Sequence, residues 1–399
     1  MSRSSADPVT PPCDGRLRVL VAHNAYQHRG GEDGVVEAEV SLLRARGHTV
    51  ELYLRQNDEL HDMGAWAAAK DTVWSSRTGA DVARLVADFQ PHVIHVHNTF
   101  ALISPSVYAA AASARVPVVQ TLHNFRLLCL QAMFLREGRV CEDCLGGMPW
   151  RGVLRRCYRG SAPQSAVLAA TIGLHRAIGT YRKNVSRYIA LTEFSRTKFM
   201  AGGLPGERIS VKSNFADLPV LDHRRIRTGA LFVGRLAPEK GTQVLARAAA
   251  TRLPAVIDVI GAGPERSSLE AGPGIRLLGS QTPQTVYAKM REAAYLVVPS
   301  VCYENFPLTV VEAFANGLPV IASRLGAMAE LVRDGETGVL FEAGSAEDLA
   351  RTMAWADAHP GDMTRMGRAA RDEYELKYTP DRNYAALMDI YRAAITTMQ

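Results

Sequence analysis

Two carboxylates and two cations stand at spacings that suit a polyhydroxylated ligand with a diphosphate. Glu304 and Glu312 have seven residues between them in Y-E-N-F-P-L-T-V-V-E-A, the first in a loop and the second inside the helix that the loop opens. Arg235 and Lys240 lie in G-R-L-A-P-E-K-G, residues 234–241, at another turn before a helix. A planar guanidinium fork, a point charge and the free N–H groups of a helix start together clamp a diphosphate. Taken alone, Glu304 also reads as a solvated loop residue and Glu312 as a solvated helix residue. A glycosidase pair is the competing reading of Glu304 and Glu312. Such carboxylates stand about 5–9.5 Å apart, whereas eight helical steps separate two backbones by up to about 12 Å. Two contacts along an extended ligand fit the spacing better.

Histidines form a second group. T-L-H-N, residues 121–124, ends an apolar strand and sets His123 at the strand exit, while His95 and His97 share one face of another strand. His123 is read as functional; His95 and His97 are read as strand-end structural histidines that are also cleft candidates. A glycine loop, H-R-G-G-E-D-G at 28–34, offers close backbone approach to a phosphate at Gly31. It does not match the dinucleotide pattern G-x-G-x-x-G. Neither does Gly261-Ala262-Gly263-Pro264, because Arg266 occupies the place of the third small residue.

Cys129, Cys141, Cys144 and Cys157 are spaced C-x11-C-x2-C-x12-C, which suits a closed tetrahedral structural zinc; unligated thiols and a redox pair are the other readings. Cys13 and Cys302 are explained by packing. From His123 to Arg187 there are 11 Arg and Lys against 3 Asp and Glu, a local +8 within a chain whose total is +6, leaving about −2 for the rest. That stretch reads either as a solvated basic face or as a contact for an anionic lipid surface, each cation contributing about 1 kcal/mol near a membrane.

The elements that position these residues alternate strand and helix. Apolar strands are expected over 17–22, 49–54, 92–97, 116–122 and 188–191, then over 230–233, 255–260, 296–298 and 319–322, with helices over 35–46, from 242 and over 308–316. Alternation of this kind predicts two parallel-sheet α/β domains. Residues 1–15 read as a disordered tail and 16–214 as the first domain, with a basic, cysteine-containing insert at about 125–160. A connection over 215–228, a second domain over 229–380 and a terminal helix over 381–399 that crosses back to the first domain complete the expected layout.

An apolar fraction of 47% supplies a core for each domain, and 399 residues suffice for two. No signal-peptide pattern opens the chain, and the apolar run at 166–174 falls short of the roughly 18 residues a membrane span requires. A cytoplasmic protein, peripheral at most to the inner face of the membrane and without a nucleic-acid partner, is the expectation.

Taken together, H-R-G-G-E, T-L-H-N, G-R-L-A-P-E-K-G, E-N-F-P-L-T-V-V-E-A and G-A-M-A-E-L-V-R-D-G-E-T-G resemble family 4 of the retaining, nucleotide-sugar-dependent glycosyltransferases over about residues 17–395. The resemblance implies the GT-B fold, two Rossmann-like domains facing across a cleft, and transfer of a sugar to a glycan, lipid-linked or small-molecule acceptor without a catalytic cofactor. It implies a donor site in which Gly234, Arg235 and Lys240 meet the diphosphate, Glu304 the donor sugar, Glu312 the ribose, and the Leu308 N–H the donor. Gly31 would approach the phosphate from the first domain, and His123 would line the reaction centre. The chain departs from many members in having Pro307 where they have glycine, which removes one backbone donor. A non-catalytic sugar-nucleotide-binding or scaffold protein and a Rossmann-type oxidoreductase are the alternatives; bound nicotinamide absorbance would identify the latter.

Overall fold

The computed structural model describes residues 15–27, 29–218, 227–252, 255–270 and 272–397. The expected tail through residue 14, with Cys13, and residues 219–226 of the expected connection lie outside the described residues. The chain packs as two compact units. One comprises the residues up to Ala132, Glu142–Lys212 and the end of the chain from Tyr384; the other comprises Met133–Cys141 and Ser213–Asn383.

The first unit is built on six strands: β1 Arg18–Ala25, β2 Thr49–Gln56, β3 Val93–Val96 and β4 Val118–Thr121, and, following a short hairpin of β5 Leu135–Arg136 with β6 Arg139–Val140 that belongs to the other unit, β7 Arg187–Ala190 and β8 Ile209–Val211. Their order is β2-β1-β3-β4-β7-β8, all parallel. The interior of β1 and all of β3 and β4 are buried, so apolar residues occupy both faces of these strands, with His95, Gln120 and Thr121 among the buried polar exceptions. The hairpin within the basic insert has no apolar repeat long enough to announce it.

In the second unit, β9 Ala230–Val233, β10 Ile257–Ile260, β11 Ile275–Gly279, β12 Tyr295–Val298, β13 Val320–Ser323 and β14 Gly338–Phe341 form a parallel sheet in the order β11-β10-β9-β12-β13-β14. Ile257, Val259, Tyr295 and Val297 pack with Leu245, Leu349 and Met353 of the covering helices. Each such side chain, fully buried, contributes about 1.5–3 kcal/mol.

Strand order reverses between β1 and β3 in one sheet and between β9 and β12 in the other. Diverging connections at such a point open a crevice beyond the carboxyl ends of the strands. The exits of β1, β4, β9 and β12 carry Gly31, His123, Arg235 with Lys240, and Glu304, respectively. Fold and candidate chemistry therefore coincide twice, once in each unit.

Two helix boundaries differ from the periodicity. The helix expected from residue 35 begins at Gly31, because Asp33 reaches back to accept the Gly30 N–H at 2.7 Å and caps the extra turn. The terminal helix, Pro380–Thr396, joins the first unit from Tyr384 onward, where the Tyr384 hydroxyl meets His48 at 2.8 Å and Tyr391 meets His95 at 2.7 Å. Among the described residues no helix is long and apolar enough to cross a membrane.

Candidate active site

In the second unit three strand exits are pressed together by glycines. Gly241 has φ +70°, and a Cβ there would stand 1.9 Å from the Pro299 carbonyl oxygen. Gly261 is as tight, with φ +148° and the Gly234 carbonyl 1.9 Å from where its Cβ would lie. Backbone bonds stitch the same loops: Leu236 N–H to Ala262 at 2.8 Å, Gly234 N–H to Ile260 and Val301 N–H to Glu239, both at 3.0 Å. Gly261 and Gly263 thus serve loop-on-loop packing, which accounts for a glycine pair that is not a dinucleotide fingerprint. The Gly234 N–H is already committed to Ile260, so at this residue only an open backbone face is available to a ligand.

Close packing of the β9 and β12 exits brings Lys240 onto Glu304. Lys240 Nζ lies 2.7 Å from Glu304 Oε1, and the Ser300 hydroxyl donates to the same oxygen at 2.8 Å. Burial alone would raise the Glu304 carboxyl and lower the Lys240 ammonium. Their mutual attraction outweighs it, so Glu304 is held below the ordinary carboxylate range and Lys240 above the ordinary lysine range. Of the three N–H bonds on the ammonium, one is used by Glu304. Arg235 is more exposed, at 62% of its side chain, and pairs with Glu239 of its own turn. Neither Ser300 nor Glu239 was singled out from the sequence; their partners are set by how the loops meet.

The helix Leu308–Ala315 starts directly after Pro307 and presents the first-turn N–H groups that have no partner within a helix. Glu312 lies one face along it and accepts from the Tyr287 hydroxyl at 3.3 Å. Burial raises the Glu312 carboxyl while Tyr287 opposes the rise. Glu304 and Glu312 sit in separate hydrogen-bond settings, one with an ammonium and one with a phenol. Tyr287 comes from the helix Pro283–Glu292, a different segment, and no spacing rule connects it to Glu312.

The first unit gathers histidines. His123 Nε2 and His97 Nδ1 are hydrogen-bonded at 2.8 Å, with rings stacked at 5.1 Å. Burial pushes His123 down to about 3, and His97 falls well below the usual histidine range for the same reason, with His95 adding to it. His123 is therefore a neutral hydrogen-bonding imidazole at neutral pH, not a cation. His95 is wholly buried and engaged at both nitrogens, with the Tyr391 hydroxyl at 2.7 Å and the Thr121 hydroxyl at 2.8 Å. Of the two cleft candidates, His95 serves the core and His97 touches His123.

Beneath them Glu39 is buried with Lys212 at 3.0 Å and His95 at 3.2 Å. Burial would raise the Glu39 carboxyl; Lys212 and His95 reverse that and hold it well below the carboxylate range. Glu39, His95 and His97 offer ligand atoms within 4.8 Å of one another. Lys212 already neutralises the carboxylate through Oε2, which makes this a poor seat for a cation.

Gly31 is exposed at the start of the helix Gly31–Ala45. The four cysteines of the insert are half-buried thiols, Cys129 in the turn after Phe125 and Cys157 after the helix Trp150–Leu154, and no three of Cys129, Cys141, Cys144 and Cys157 lie close enough to share a metal ion, so the structural zinc expected from their spacing is not supported.

Comparison with known proteins places this geometry. Residues 30–214 match the family model described as glycosyl transferase 4-like domain, and residues 227–356 match the model described as glycosyl transferases group 1. The D-inositol 3-phosphate glycosyltransferase of Mycolicibacterium vanbaalenii is 29% identical over 316 residues, 73% of this chain and 66% of that protein. Its counterpart in Mycobacterium leprae is 28% identical over 404 residues, 92% of this chain and 89% of that protein. The chain spans 61–66% of the length of the first three curated relatives. Among solved structures, Anabaena Alr3699/HepE in complex with UDP superposes with a TM-score of 0.65 at 17% identity, covering 94% of this chain and all of that one. Sucrose-phosphate synthase from Thermosynechococcus elongatus gives 0.70 at 17%, covering 96% and all. Two parallel α/β units with two matching domain models make this chain a family 4 glycosyltransferase-like protein of the GT-B fold, a member of the family its motifs resemble.

Proposed function

We propose that the protein transfers a sugar, with retention of anomeric configuration, from a nucleoside diphosphate sugar to a hydroxyl of a glycan, lipid-linked or small-molecule acceptor. The observation that carries this reading is the Lys240–Glu304–Ser300 cluster at the strand-order reversal of the second sheet. It sets a cation for a diphosphate beside a carboxylate for sugar hydroxyls. The named relatives act on inositol 3-phosphate and the Anabaena neighbour binds UDP, which supports a phosphate-bearing acceptor and a uridine donor.

In this reading the anomeric C–O bond breaks with its electron pair going to the diphosphate. The acceptor oxygen bonds the anomeric carbon on the same face, and its proton passes to the departing phosphate. Lys240 and Arg235 stabilise the growing negative charge, Glu304 holds the donor sugar and Glu312 the ribose. The Leu308 N–H and the open backbone at Gly234 and Gly31 approach the phosphates, and neutral His123 orients a hydroxyl. A thermal-shift panel of nucleotide sugars tests the reading: a donor at 100 times its dissociation constant adds about 2.7 kcal/mol. Failure to hydrolyse or transfer any donor would favour a non-catalytic sugar-nucleotide-binding or scaffold protein.

One feature of the first unit extends the proposal. The helices Ala65–Val73, Trp150–Leu154 and Ala162–Ala177 leave Trp66, Trp150, Leu154 and Leu174 exposed, and Arg151, Arg156 and Arg159 are exposed in the same basic stretch. Apolar and cationic side chains together suit an anionic membrane surface. Binding to anionic vesicles should exceed binding to neutral ones and fall as salt rises; equal partitioning would exclude the role.

A further inference from the structure

The second sheet ends at the edge strand β14, and that edge is already closed. The Leu340 N–H donates to Asp334 Oδ1 at 2.9 Å and the Glu342 N–H to Asp348 Oδ2 at 2.7 Å. The Gly338 carbonyl accepts from the Gly335 N–H at 2.8 Å, and the Leu340 carbonyl accepts from Arg324 Nη2 at 3.4 Å. With these outward groups occupied, β14 has no place for an added peptide strand. Yet a groove of about 560 Å³ lies between β14 and the helix Ala346–Ala358, within the range of ligand pockets, about 300–1,000 Å³. None of its lining residues belongs to the β9 or β12 exits, so the donor chemistry does not account for it.

The groove is lined by one indole, two guanidiniums and two carboxylates, with Val339 and Leu340 as apolar surface. Trp355 is 36% exposed. One face of its ring is stacked on His359, with centres 4.7 Å and planes 17° apart, and the His359 Nδ1–H donates to the Trp355 carbonyl at 2.7 Å. The indole is thereby held in place, and its opposite face and N–H have no partner among the described residues. The Glu342 carboxylate likewise forms no hydrogen bond or ion pair among the described residues. Arg324 pairs with Asp334 at 2.6 Å and Arg351 with Asp348 at 2.5 Å, each through Nη2, so both keep Nη1 and Nε as donors.

Within the lining, Arg324 and Arg351 balance Glu342 and Asp348, so net charge calls for neither an anion nor a cation. What is unmet is directional: a carboxylate that accepts, N–H groups that donate, and a flat apolar face. A sugar ring answers all three. Its C–H face leaves water by lying on the indole, and its hydroxyls donate to Glu342 while accepting from the guanidiniums. We propose that this groove is a carbohydrate site that holds a segment of a neutral oligosaccharide on Trp355, apart from the reacting atoms. A glycan so held stays at raised local concentration around the protein. The site requires no transfer chemistry and stands whether or not the glycosyltransferase reading does.

The probes are maltotriose, cellotriose and an N-acetylglucosamine trimer, with trigalacturonate and a glucosamine trimer as anionic and cationic forms of similar size. Binding is followed by calorimetry and by tryptophan fluorescence, to which Trp355 contributes as the only tryptophan of the second unit. At least one neutral trisaccharide is expected to bind saturably, to change that fluorescence, and to bind more tightly than glucose or either charged trimer. Trp355→Ala should weaken its binding about tenfold, the worth of one covered apolar ring face. Glu342→Ala, a change on the surface, should weaken it by a similar factor through loss of a charged acceptor. Both variants should keep the thermal shift given by the nucleotide sugar, which reports an intact fold. Should Trp355→Ala lose that shift, Glu342→Ala decides alone. Absence of binding by all three neutral trimers, tighter binding of a charged trimer, or wild-type affinity in Glu342→Ala or in folded Trp355→Ala would overturn the proposal. Trisaccharide binding by a wild-type protein that no nucleotide sugar shifts would support this site and overturn the glycosyltransferase reading instead.

Discussion

Lys240→Ala should lower kcat by about 10²- to 10³-fold, the magnitude found when one donor to a developing negative charge is removed. The diphosphate becomes more negative as the anomeric bond breaks, so a cation beside it gains most in the transition state, and its loss falls on kcat. The Glu304 contact enlarges the effect. Lys240 Nζ at 2.7 Å holds the Glu304 carboxyl below the ordinary range, against a burial that would raise it. Without the ammonium, Glu304 becomes easier to protonate and loses its fixed position, so donor KM should also rise. Glu312→Ala provides the contrast. A group that binds the unreacting ribose contributes equally to ground and transition states, so donor KM should rise while kcat moves little. Steady-state kinetics of the two variants with the identified donor decides the matter. Unchanged kcat in Lys240→Ala would displace the diphosphate from this turn, and unchanged donor KM in Glu312→Ala would displace the ribose.

Lys212→Met should destabilise the protein by about 3–5 kcal/mol, the usual penalty for leaving a buried charge without its partner. Glu39 is 2% exposed and Lys212 lies 3.0 Å from it. Adding Glu39→Gln to Lys212→Met should recover part of the loss, because no unpaired charge then remains. Denaturant melts of the single and double variants provide the cycle; a single variant within about 1 kcal/mol of wild type would show that the pair is not what keeps Glu39 ionised. The pair also reaches the histidines, since Glu39 lies 3.2 Å from His95 and the His97 ring is 4.2 Å from that of His95. Activity loss in folded Lys212→Met would report displacement of His123 through this chain of contacts.

Much of the fold was legible in the sequence, because its signals are local. A strand buried on both faces writes an unbroken apolar run, and residues 295–298 emptying into P-S-V-C-Y-E-N-F-P announce a strand exit before a helix. The same holds for G-R-L-A-P-E-K-G and T-L-H-N, whose chemistry follows from residue type and position at the end of a strand. What the tertiary structure alone decided is which exits meet. Lys240 and Glu304 are 64 residues apart, Glu39 and Lys212 are 173 apart, and His95 and Tyr391 are 296 apart. Strand order in a parallel sheet is set by crossover connections and by packing of covering helices, neither of which leaves a periodic trace. For that reason the glycines at 241 and 261 read as ordinary turn residues until Pro299 and Gly234 are seen against them, and Glu32 reads as a solvated glutamate until Tyr26 and Asn124 close over it.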